Sequence, residues 1–163
     1  EALPSMVRLL KFVMQASIMC PDVMFEIREH PALPLSALTL EAGIEIDNYN
    51  NLEISPNKNL EEVLESYDIA IYQGTTAAMT VVAMGIPIIK VKLEEMVNDD
   101  PLIESLSLKK IVDDPDEIKL SFMHFETMSD EIFLNESRAA RDYVENYLSP
   151  PSSETLKPFI GNI

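Results

Sequence analysis

Residues 68–92, DIAIYQGTTAAMTVVAMGIPIIKVK, constrain the fold more than any other stretch of this chain. A short apolar run rich in β-formers, Asp68 to Tyr72, reads as a buried strand. Gln73-Gly74-Thr75-Thr76 follows as a turn, and Ala77-Ala78-Met79 opens a helix. Gly85 ends that helix, because glycine accepts the left-handed backbone found just past a helix terminus. Ile86 to Val91 then forms a second buried strand, with Pro87 confined to its start. A strand, helix and strand of this length make a right-handed parallel crossover. In open parallel sheets ligands collect at the carboxyl ends of strands, and the Gly74-Thr75-Thr76 turn sits at such an end. Backbone N–H groups, two hydroxyls and the positive end of a helix suit it to an anion. The same threonines read equally as ordinary helix caps.

The remaining segments repeat this alternation. The sequence predicts helices over 4–19, 33–40, 60–66, 77–84, 116–125 and 130–148, with a further short helix after Pro101. It predicts strands over 23–28, 52–54, 68–72, 86–91 and 109–112. Pro21 stops the first helix, and Asn59 followed by Glu62 forms a capping-box pattern. Helices and strands that alternate over the first 115 residues imply an α/β fold with a parallel sheet. Residues 1–148 read as one domain and 149–163 as a loose tail. The chain starts without Met inside an apparent helix, and is read as a piece of a longer protein.

Composition removes several classes of function. A formal net charge of −16 leaves no basic footprint for nucleic acid or an acidic membrane surface. A single cysteine, Cys20, excludes an internal disulfide and a cysteine-based zinc site, and its place in an apolar helix suggests a buried thiol. No apolar run reaches transmembrane length, so a cytoplasmic chain is expected, peripheral to a membrane only through a longer protein. Asn98-Asp99-Asp100 could suggest a metal, but Asp100-Pro101 reads better as a helix start, and no metal is expected.

His30 follows a predicted strand and precedes Pro31, which biases the local backbone towards an extended form. An imidazole there can donate to a phosphate or protonate a leaving oxygen, or simply satisfy a nearby carbonyl. His124 lies within a helical pattern and carries no such suggestion.

His30-Pro31, Leu60-Glu61-Glu62-Val63-Leu64, Asp68-Ile69-Ala70 leading to Gly74-Thr75-Thr76, and Ala83-Met84-Gly85-Ile86-Pro87-Ile88 occur in this order. The series resembles the C-terminal half of GT-B glycosyltransferases. It is most similar to bacterial surface-polysaccharide enzymes with an HP motif and a paired Ser/Thr motif, such as bacterial sialyltransferases and CDP-glycerol glycerophosphotransferases. The resemblance covers about residues 22–103 and rests on order and spacing. It implies a Rossmann-like parallel sheet of about five strands flanked by helices, with the C-terminal helices packed on it.

By the resemblance, the domain binds a CMP-, CDP- or UDP-linked sugar as substrate, with no separate cofactor. His30 would contact the donor phosphate and assist the departing nucleotide. Gly74, Thr75 and Thr76 would hold the same phosphate, and Glu62 would accept from ribose hydroxyls, beside its reading as a capping residue. Arg28 and Lys90 would serve as charge partners. The glycan acceptor and its catalytic base would belong to an N-terminal half not included in this chain, which alone should bind without catalysing. The implied setting is surface-polysaccharide, lipopolysaccharide or capsule biosynthesis, with inversion at the sugar carbon. A non-catalytic α/β domain serving assembly or regulation is the alternative, and the surface meant for the missing half could pair with itself in a homo-oligomer. A sugar-nucleotide epimerase-like domain is disfavoured, since the turn and helix lack the Ser-Gly-Gly and Glu-Glu pattern by which those enzymes resemble one another.

Overall fold

The computed structural model describes residues 2–30, 33–55, 58–93, 100–102 and 106–148. Its order is α1 (Ala2–Met19), β1 (Phe25–Ile27), α2 (Leu35–Ala42), a 3₁₀ turn (Ile46–Asn48), β2 (Leu52–Ile54), α3 (Leu60–Leu64) and β3 (Ala70–Tyr72). Then come α4 (Ala77–Ala83), β4 (Ile88–Val91), β5 (Lys109–Val112), α5 (Asp116–Glu126) and α6 (Asp130–Tyr147). The α/β class expected from the alternation is observed. The tail over 149–163 lies outside the described residues; Pro101 and Leu102, expected to open a short helix, are a bend and irregular chain, and 103–105 lie outside the described residues.

One expectation requires correction. In place of a single sheet of about five strands, the described residues form two parallel sheets, β1-β2 and β3-β4-β5. Phe25 pairs with Leu52, Ala70 with Ile88, and Ile88 with Lys109. Strands of three or four residues carry few ladder bonds, and side chains close the seam between the sheets. Ile69 and Ile71 pack into the same apolar cluster as Phe25 and Leu52. Burial, together with the Glu26 carboxylate, raises the Tyr67 pKa.

All four residues of β4 are buried, as a parallel strand covered on both faces requires. Its alternation sends Ile89 and Val91 into one cluster and Ile88 into another. The first cluster is completed by Leu10, Phe12 and Met14 of α1, Leu35 of α2, and Ile118 and Phe125 of α5. The second takes Leu64 of α3, Met79 and Val82 of α4, and Ala140 and Val144 of α6. Helices therefore cover both faces of the sheets. Cys20 is buried in the first cluster, and desolvation raises its thiol pKa.

Two joints fix the layers. The Asn51 side-chain amide, just before β2, donates to the carbonyls of Ser17, Cys20 and Val23 at 3.0, 3.1 and 2.9 Å. It thereby reaches one carbonyl of the last turn of α1 and two of the loop that follows, and ties that end to the first sheet. Past α4, Gly85 takes φ 81°, its N–H donates to Val82 O, and the Ile86 N–H donates to Val81 O. This paired arrangement is the Schellman stop expected from the glycine. A Cβ on Gly85 would meet Ser137 Oγ of α6 at 3.2 Å, so the left-handed turn also permits close packing of α6.

Candidate functional site

The strands of both sheets run in parallel, and the turns after β1 and β3 lie at carboxyl ends. After β3, Gln73 is buried, Gly74 is half-buried, and Thr75 and Thr76 are exposed. Thr75 Oγ1 accepts from the Ala77 N–H at 3.3 Å, while the Thr75 carbonyl accepts from Ala78 N–H at 3.2 Å. Thr76 occupies the cap position with helical backbone angles, φ −65° and ψ −19°, and its side chain makes no cap hydrogen bond. Thr75 therefore closes the turn. The capping reading holds for one threonine of the pair.

After β1, His30 is exposed and forms an isolated antiparallel bridge with Leu33, whose N–H donates to His30 O at 2.9 Å. Glu29 Oε1 accepts from the Leu35 N–H at 2.9 Å and so closes the first turn of α2. The backbone bearing the imidazole is thus held on both sides. Pro31 lies outside the described residues.

The other expected residues are placed differently. Arg28 is exposed, and its Nη2 donates to Lys58 O at 2.8 Å, joining the end of β1 to the approach to α3. Glu62 is exposed on α3 and accepts from Asn59 Nδ2 at 3.1 Å. The expected capping box is thereby reduced to a pair of side chains, since Asn59 makes no cap bond to the backbone. His124 is exposed on α5, edge-on to the Phe125 ring.

Lys90 is turned inward, into a polar cluster that motif reading missed. Its Nζ lies 3.2 Å from Asp100 Oδ2, and the Lys109 Nζ lies 2.6 Å from the same oxygen. Asp100 Oδ1 accepts from the Tyr72 hydroxyl at 2.9 Å and from the Leu102 N–H at 3.1 Å. The carboxylate therefore has four donors, and its side chain is 4% exposed. Burial alone would raise the Asp100 pKa; bonds from Lys109, Tyr72, the Leu102 N–H and Lys90 outweigh it, leaving the pKa below its ordinary value. Lys109 also donates to Leu102 O, and the Tyr143 hydroxyl of α6 donates to Pro101 O at 3.4 Å. Segment 100–102 is thus gripped from β3, β4, β5 and α6. A signal for it existed in the sequence: a lysine within Ile88-Ile89-Lys90-Val91, a doubly covered strand, needs a buried partner.

No helix among the described residues is long and apolar enough to cross a membrane. A scan against family models matches nothing, and no curated protein matches the chain.

Proposed function

We propose that this chain is the donor-binding domain of a GT-B-type glycosyltransferase of bacterial surface-polysaccharide, lipopolysaccharide or capsule synthesis. One observation carries the reading: His30 and the pair Thr75 and Thr76 are exposed just beyond the carboxyl ends of parallel strands β1 and β3. That is where ligands of open parallel sheets bind. The substrate is a CMP-, CDP- or UDP-linked sugar. Its phosphate takes donors from the His30 ring, from the Thr76 hydroxyl, and from the turn at Gly74, where the absence of a side chain allows close approach. Thr75, which already closes the turn, shapes it. Glu62 accepts from the ribose.

Such a site accelerates transfer by holding the charge that develops on the leaving nucleotide more tightly than it holds the intact donor. The acceptor glycan and the base that activates it come from a segment outside this chain. The reading places such an enzyme in the cytoplasm.

A second reading, an assembly domain, is favoured by the exposed apolar groups Ile111 of β5 and Leu120 of α5, which line one shallow groove. Calorimetric titration with CMP, CDP, UDP and GDP separates the two. The donor reading expects saturable binding of one nucleotide, weakened about tenfold or more, or over 1.4 kcal/mol, by His30→Ala and by Thr75→Ala/Thr76→Ala. The assembly reading expects no nucleotide binding, and self-association that Leu120→Glu abolishes.

A further inference from the structure

Tyr72 is both the last residue of β3 and the residue that leads into the turn at 73–76. Its ring is buried, and its hydroxyl is fixed on a carboxylate with three further donors, Lys90, Lys109 and the Leu102 N–H. Five residues later the chain enters α4, seated in the second apolar cluster by Ala78, Met79 and Val82. Leu102, adjacent in sequence to the gripped Pro101, is fully buried in that same cluster. Both ends of the turn are therefore anchored to one body, and Asp100 supplies the polar half of the anchorage. Nothing in this arrangement requires Asp100 to reach a ligand, since its oxygens are already occupied.

We infer that Asp100 is a positioning residue for the turn: by holding the Tyr72 hydroxyl, it fixes the carboxyl end of β3 so that Gly74, Thr75 and Thr76 present their donors in one arrangement. The inference rests on the donor-site reading above and deepens it, because Asp100 acts on phosphate affinity without touching phosphate. Charge burial explains why an aspartate is used. A carboxylate with four donors is held in one orientation, since every rotation breaks a charge-assisted bond. Removing one donor at a time should therefore loosen the turn in steps.

The test uses the whole chain with CDP as probe, and CMP, UDP and GDP in parallel, against Tyr72→Phe, Asp100→Asn and Thr75→Ala/Thr76→Ala. Affinity is read by calorimetry, and the backbone amide resonances of residues 74–76 by NMR. Tyr72→Phe, which removes only the hydroxyl, is expected to lower affinity about threefold to tenfold and to shift those amides before any nucleotide is added. Asp100→Asn is expected to do the same more strongly. If Asp100→Asn fails to fold, Tyr72→Phe decides. Wild-type affinity in Tyr72→Phe, with binding lost in the threonine variant, would overturn the positioning role while leaving the donor site intact. Weakened binding with unshifted turn amides would reduce Asp100 to a structural residue and also overturn it. Absence of binding by the wild type to all four nucleotides would remove both.

Discussion

Tyr72 and Thr76 are four residues apart and are held in opposite ways. Tyr72 is buried, with its hydroxyl on a saturated carboxylate; Thr76 is exposed, and its hydroxyl makes no cap bond. The first arrangement places the free energy of several charge-assisted bonds in the scaffold. The second keeps a donor available on a turn whose ends cannot move far. A binding site benefits from both at once, since a donor fixed before the ligand arrives loses little entropy when the ligand binds. The contrast separates residues that hold this fold together from residues free to work on something else.

The sharpest way to break the contrast is to remove each member. Asp100→Ala leaves two buried lysines without their carboxylate and should cost about 3–5 kcal/mol in urea unfolding. Gly85→Ala should cost about 1–2 kcal/mol by the same assay, because alanine at φ 81° is strained and its Cβ meets Ser137. Ser129, whose Oγ accepts from the Ile132 N–H at a long 3.4 Å, caps α6, and Ser129→Ala should cost about 0.5–1 kcal/mol. Thr75→Ala, which removes the acceptor of the Ala77 N–H, should cost about 0.5–1 kcal/mol, and Thr76→Ala, exposed and without a cap bond, should stay within about 0.5 kcal/mol. If the threonines matched Asp100 in cost, the division between scaffold and site would be wrong.

Acid sharpens the same point. The native pKa of Asp100 lies below its unfolded value, so folding favours the ionised form. Its contribution is complete above the ordinary carboxylate range near pH 4 and is lost as pH falls through the lowered native value. The stability gap between wild type and Asp100→Asn should therefore be widest near neutrality and close in strong acid. A gap independent of pH would show that the carboxylate's charge does not matter.

The two regions also differ in how readily the sequence discloses them. The turn at 73–76 is legible because Gly85 and Pro87 punctuate the stretch, and the residues that define it are neighbours along the chain. The cluster is assembled across the fold: Tyr72 meets Lys90 through strand register and Asp100 across 28 residues. Only the lone lysine inside an apolar strand announced it, and only as a demand for some partner. The three carbonyls gathered by Asn51 have the same character, since their residues lie 28 to 34 positions away. The five short strands of the described residues follow apolar runs, but their division into sheets of two and three strands is not legible in those runs. Among the described residues no ladder forms between the sheets, and Ile69 and Ile71 join the cluster of Phe25 and Leu52 through side chains alone. Strands are also shorter than their apolar runs: the run from Asp68 pairs only over Ala70–Tyr72.

The donor-binding account stands or falls on whether His30, Thr75 and Thr76 serve one ligand. Titration calorimetry of the wild type with CMP, CDP, UDP and GDP, repeated with His30→Ala and with Thr75→Ala/Thr76→Ala, tests that directly. The account predicts saturable binding of one nucleotide, weakened about tenfold or more by each variant, with unfolding stability lowered by no more than about 1 kcal/mol per substitution. Binding that neither variant weakens, or no binding of any of the four by the wild type, would contradict it.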